Sequence, residues 1–221
     1  MTTDPSLLRT ALVYDFDGTL GRGNVQEHSF LPAMNMSPAE FWTDVKARTK
    51  ENNVDEILVY MWRMLALAEQ QGFIVTQSVL TAHGATTPFF SGVDTWFDRI
   101  NAFGAELGLA IEHYIISSGI YEMIRGCSIY KHFRYIFASK FIYDENGRAV
   151  WPGTAINYTN KTQHLFRINK GIDNIWDNSL INRWVPLIER PIPFQRMIFI
   201  GDGETDIPSM KMVRHQGGHA V

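Results

Sequence analysis

Short apolar runs and longer helical periods alternate along this chain. Leu12 to Phe16, Tyr114 to Ile116, Tyr135 to Phe137 and Met197 to Ile200 are brief and almost wholly apolar. Runs of that kind predict strands covered on both faces of a parallel sheet. Between the first two runs the period changes. Ser37-Pro38-Ala39-Glu40 is a capping box with proline at the first helical position, and it predicts a helix from Pro38 to Thr49. Asn53 and Glu56 repeat the start signal and open a longer helix, Val54 to Gln71, with Ile57, Leu58, Met61, Leu65 and Ala68 at helical spacing. Gly72 suits the position just past its end, and Thr76 caps a third helix that stops near Gly84.

Further helices are predicted from Asp94 to Leu107, from Tyr121 to Arg125, and from Lys161 onward. The first carries Trp96, Phe97, Ile100, Phe103 and Leu107 on its apolar side, and the last carries Leu165, Phe166 and Ile168 as packing residues. Phe141-Ile142-Tyr143 and Ala149-Val150-Trp151 flank Asp144-Glu145-Asn146-Gly147, a hairpin turn. Residues 171–195 read as mixed helix and loop. Strands alternating with helices predict an α/β fold, a parallel sheet with helices on both faces. Residues 1–21 and 89–221 make this core, and residues 22–88 an all-helical cap inserted after the first strand.

Composition narrows the setting. The net charge of −3 gives no electrostatic case for nucleic acid or an anionic membrane. The aromatic residues read as core and cap packing. Cys127 is the lone cysteine, so an intramolecular disulfide is impossible, and a small buried residue is expected there. No signal peptide and no membrane span is visible, which predicts a cytoplasmic protein. The histidines show no metal spacing. Trp42, Trp62 and Met64 read as cap packing rather than pocket lining.

The chemistry lies where the apolar runs stop. Leu12 to Phe16 ends in Asp15 and Asp17, and Gly18 then lets the backbone turn. The carboxyl edge of a parallel sheet is where ligands bind in open α/β folds. Asp-Gly is also a common turn pair, so these two residues alone leave a plain turn open. Two other runs end in groups that suit a phosphate: Ser117 after the second, and Asp202 and Asp206 after the last. Asp15 and Asp202 offer hard oxygens to Mg²⁺. Ser117 offers a hydroxyl, with the amides after it at a helix N-terminus. Lys161 offers a positive charge to a phosphoryl group. Asp17 can protonate a leaving alkoxide and then activate water.

Asp15-Phe16-Asp17-Gly18-Thr19, Ser117-Ser118-Gly119, Lys161 and Gly201-Asp202-Gly203-Glu204-Thr205-Asp206 together resemble, in order, the four motifs of the haloacid dehalogenase-like (HAD) superfamily. The resemblance implies a Rossmann-like core, a helical cap after the first motif, and a Mg²⁺-dependent phosphatase that hydrolyses a small phosphorylated metabolite through an aspartyl-phosphate. By that match Asp15 is the nucleophile and Asp17 the acid/base. Ser117 and Lys161 bind phosphate, with Ser118 a rival to Ser117 and Lys170 a rival to Lys161. Asp15, Asp202 and the Asp17 carbonyl hold the metal, and Asp206, Gly18 and Thr19 support the site. Asp17 disfavours a dehalogenase. The alternatives are a phosphomutase using the same residues and a non-catalytic phospholigand-binding protein of the same fold. The chain ends at Gly218-His219-Ala220-Val221, which reads as the start of another strand where members of the superfamily usually continue. The expectation is a core lacking its last strand and helix, with an exposed sheet edge.

Overall fold

The computed structural model describes residues 7–221. Its strands are β1 (Leu8–Tyr14), β2 (Leu109–Ile120), β3 (Phe133–Tyr143), β4 (Ala149–Thr154), β5 (Met197–Ile200) and β6 (His219–Ala220). They form one sheet in the order β4-β3-β2-β1-β5-β6. All neighbours are parallel except β3 and β4, which pair antiparallel across the expected turn. β1 sits at the centre, with Val13 opposite both Tyr114 and Phe199. The last residues do form a strand, β6, paired to β5.

The helices are α1 (Phe30–Ala33), α2 (Pro38–Asn52), α3 (Glu56–Gln70), α4 (Gln77–Gly84), α5 (Val93–Glu106), α6 (Tyr121–Gly126), α7 (Asn160–Lys170), α8 (Asn178–Asn182) and α9 (Ile207–His215). Successive residues of β1 point to opposite faces and build two cores. Leu12 and Tyr14 join a cluster with α5, α6 and the helices of the insertion, whereas Ala11 and Val13 join Leu165, Ile168 and Val213 of α7 and α9. Phe30, Leu31, Phe41 and Met61 of the insertion belong to the same apolar cluster as Leu12 of the sheet.

Two glycines allow α4 and α6 to cross at backbone contact. A Cβ on Gly84 would lie 1.8 Å from the Met123 carbonyl oxygen, and one on Gly126 would lie 1.9 Å from that of Thr81. The chain leaves and re-enters the core side by side, where Gly21 forms an antiparallel bridge with Phe89. The segment between that pair holds α1 to α4 and no strand of the sheet.

Several elements differ from the sequence reading for local reasons. Ser37 and Glu40 form the capping box as expected. The next helix, however, starts at Glu56 and not Val54. Asn53 takes a left-handed conformation that ends α2, and Asp55 caps α3 by accepting the amides of Ile57 and Leu58. β2 does not stop at Ile116 but stays extended to Ile120, with a register shift against β3 between those residues. The two runs Tyr135–Phe137 and Phe141–Tyr143 are one strand, β3. On α5, Phe97 is buried, while Phe103 and Leu107 are exposed. α9 carried no signal in the sequence reading. Nor do all aromatics pack inward: Trp176 and Trp184 are each 78% exposed. Cations occupy the inside of that stretch instead. Arg167 donates to the carbonyls of Asn174, Ile175 and Asp177, and Lys170 to those of Ile181 and Arg183.

Candidate active site

Asp15 directly follows β1, the central strand, and is buried. The turn after it is set by hydrogen bonds from the amides of Leu20 and Gly21 to the Phe16 carbonyl. Gly18 has φ +82°, and a Cβ there would lie 2.3 Å from Asp202 Oδ2. Any side chain would therefore collide with the neighbouring carboxylate as well as strain the backbone. Thr19 donates its hydroxyl to Asp202 Oδ1 at 2.7 Å, tying the first turn to the loop after β5.

Lys161 is wholly buried in the first turn of α7. Its Nζ lies 2.7 Å from Asp206 Oδ1 and 3.2 Å from Asp15 Oδ1. It sits beneath the carboxylates and is not part of the cavity wall. Asp206 also accepts the Gly203 amide at 3.0 Å, so it is committed to holding Lys161 and its own loop. Lys170 stands at the other end of α7, about 14 Å along the helix, with its ammonium on the carbonyls of Ile181 and Arg183. The two lysines are thereby separated: Lys161 joins the carboxylates and Lys170 does not.

Asp15, Asp202 and Asp206 each bring a carboxylate oxygen to within 4.8 Å of the others. Burial raises Asp15 to about 6; Lys161 opposes that rise and Asp206 adds to it. Asp17 is pushed well above the ordinary carboxylate range, first by burial and then by the charge of Asp15, although its Oδ1 accepts the Val25 amide at 3.0 Å. Burial disfavours the charge on Lys161, but Asp15 and Asp206 outweigh it and hold the ammonium above its usual value.

Ser117 and Ser118 reach the site from within the strand, because β2 runs on past them. The expected helix N-terminus lies beyond them, at Tyr121. Ser117 Oγ accepts the Gly119 amide at 3.0 Å, which leaves its proton free to donate. Ser118 Oγ is buried without a partner, and its carbonyl accepts the Tyr60 hydroxyl at 2.5 Å. A Cβ on Gly119 would lie 2.6 Å from Asp17 Oδ2, so close approach of that carboxylate requires glycine here.

These groups floor a cavity of about 470 Å³. Asp15, Asp17, Ser117, Ser118 and Asp202 face it from below; Gln26, Trp42, Lys46, Glu56, Ile57 and Tyr60 face it from the insertion. The sequence reading missed most of the upper set and assigned Trp42 to packing. Trp42 does pack, 5.7 Å from the Tyr60 ring centroid with its indole N–H on Glu27, yet it also lines the cavity. Trp62 lines a different groove, with Phe73 and Trp151, and Met64 is core.

The arrangement of sheet and insertion has known counterparts. A HAD-family hydrolase from Salmonella enterica serovar Typhi superposes with a TM-score of 0.63 at 18% identity, over 97% of this chain and 68% of that one. A phospho-aspartyl intermediate analogue of phosphoserine phosphatase superposes with a TM-score of 0.58 at 13% identity, over 97% and 93% of the two chains. This is a HAD-like fold. An uncharacterized protein of Borreliella burgdorferi is 29% identical, over 93% of this chain and 78% of its own length. No protein-family model matches the chain. Within the HAD-like fold the mostly parallel sheet matches the Rossmann-like expectation. Among the described residues no helix is long and apolar enough to cross a membrane.

Proposed function

We propose that this protein is a Mg²⁺-dependent phosphatase that hydrolyses a small phosphomonoester through an aspartyl-phosphate on Asp15. The observation that carries this reading is the buried Lys161 held between Asp15 and Asp206 under one cavity, with Asp17 and Asp202 beside it. The donor set fits the metal. Three carboxylates with oxygens within 4.8 Å make a hard anionic group, and Asp15 Oδ1 is buried with no hydrogen bond beyond its ion contact to Lys161. Asp15, Asp202 and the Asp17 carbonyl would hold Mg²⁺, which when bound would neutralise phosphate charge beside the anionic nucleophile.

The chain's own groups divide the remaining work. Asp15, at about 6, is mostly ionised at neutral pH, and its carboxylate attacks phosphorus as the bond to the alcohol oxygen breaks. Asp17, held well above its usual range, keeps a proton for that oxygen. Now a carboxylate, it takes a proton from the water that attacks the aspartyl-phosphate, which releases phosphate and restores Asp15. Ser117 donates its hydroxyl to a phosphoryl oxygen. Lys161 keeps Asp15 ionised and aimed from below. A buried thiol at Cys127, without a partner cysteine, suits the reducing cytoplasm, the compartment this reading assigns.

Hydrolysis of 4-nitrophenyl phosphate with Mg²⁺, and again with EDTA, tests the proposal on wild type and Asp15→Asn. Wild-type turnover should vanish with EDTA and fall roughly a thousandfold or more in Asp15→Asn, with the melting temperature of the variant retained. Turnover by purified Asp15→Asn close to wild type would rule out the nucleophile.

A further inference from the structure

The upper wall of the cavity holds an unsatisfied group. Gln26 is 2% exposed, faces the cavity, and its Oε1 has no hydrogen-bond partner. A buried amide oxygen left unpaired is costly, and native proteins seldom retain one without use. Its position is fixed by the catalytic turn itself. The amide of Val25 donates to Asp17 Oδ1 at 3.0 Å, so the Gln26 backbone begins within about 5 Å of that contact. Gln26 therefore lines the cavity beside Asp17, the residue proposed to protonate the leaving alcohol.

The neighbouring groups indicate what Gln26 binds. Lys46 and Glu56 line the same wall, and among the described residues neither side chain is in a hydrogen bond or ion pair. Charged parts of a ligand have these two as partners. A neutral amide that both donates and accepts is matched by a neutral group that does the same, a hydroxyl. Ser118 Oγ, also buried and unpartnered at the cavity, is a second such group.

We propose that Gln26 is a specificity residue that hydrogen-bonds a hydroxyl on the leaving alcohol, so that the substrate is the phosphate ester of a polyol. This rests on the phosphatase reading for the position of the phosphate, but the hydroxyl subsite is testable without turnover. A site built to pair a substrate hydroxyl discriminates strongly against the analogue that lacks it, because the protein group is then left unpaired.

The test compares glycerol 1-phosphate with propyl phosphate, which has the same carbon chain without the hydroxyls. Wild type should favour glycerol phosphate in kcat/KM by roughly tenfold or more. Gln26→Met, close in shape but without the amide, should bring that ratio near one. Gln26→Asn, which keeps the amide but draws it back, should fall between. The melting temperature of ligand-free Gln26→Met should equal or exceed wild type, since an unpaired buried amide has been removed. A purely structural glutamine would lower it. A wild type without preference, or a preference that survives in Gln26→Met, overturns the proposal. If wild type turns over neither ester, 4-nitrophenyl phosphate decides whether the phosphatase reading holds, and thermal shift decides the subsite. Stabilisation by glycerol phosphate above propyl phosphate, lost in Gln26→Met, supports it; equal or absent shifts overturn it.

Discussion

Single side chains show what burial does to chemistry here. Tyr14 receives the Trp96 indole N–H at 2.8 Å and lies 3.0 Å from His113 Nδ1, while His113 Nε2 lies 2.9 Å from Asn101 Oδ1. Every donor in that chain is used only if His113 is neutral, with its proton on Nε2. Burial, then the nearby His132, lowers His113 to about 4. A histidine lowered on folding contributes stability that is complete above its unfolded value near 6.5 and is lost as pH falls toward 4. Unfolding free energy should therefore fall between pH 7 and pH 5, by about 2 kcal/mol from this residue alone. Urea titrations at the two pH values measure it, and His113→Gln should show a shallower pH slope than wild type. The same scale separates what was legible in sequence. Asp15, Asp17, Ser117, Lys161, Asp202 and Asp206 announced themselves because each follows an apolar run or opens a helix at the sheet's carboxyl edge. Gln26, Lys46, Glu56 and Tyr60 did not. They come from three separate segments, and nothing local to any of them encodes a shared wall.

Elements were legible where a cap or a period declared them, and less so where two local signals competed. The capping box at Ser37 and the cap at Thr76 fix the starts of α2 and α4. Asn53 looked like a start because its neighbours resemble one, but its left-handed backbone makes it an end. The length of β2 and β3 was hidden, since the extended backbone of β2 runs on through Ser117 and Ser118 and pairs with β3 again at Ile120. The crossing of α4 and α6 was hidden as well, as Gly84 read only as a helix end and Gly126 carried no signal. Each is there because carbonyl oxygens approach where a methyl would sit. Gly84→Ala should thus cost more than an ordinary surface change, about 1–3 kcal/mol, and Gly126→Ala a similar amount. Chemical denaturation of the two variants gives the numbers. A loss under about 0.5 kcal/mol in both would mean that the helices part easily.

The molecule as a whole reads as one body. Side chains of the insertion share the sheet's apolar cluster. Asp55, which caps α3, also accepts a hydrogen bond from Asn157 in the loop that leads to α7 and Lys161. Tyr60 of α3 is bonded to Ser118 of β2. Urea should unfold the chain in a single transition, with the same midpoint by far-ultraviolet circular dichroism and by tryptophan fluorescence. Two separate midpoints would mean that the insertion melts on its own. The glycine crossing has one more consequence, for how such a protein can diversify. The seam between α4 and α6 fixes the insertion to the sheet using atoms that no side chain supplies, far along the chain from α2 and the start of α3. Descendants can exchange Lys46 or Glu56 while that seam and the carboxylates beneath stay as they are. New substrates can then be tried in the upper wall without rebuilding the machinery under it.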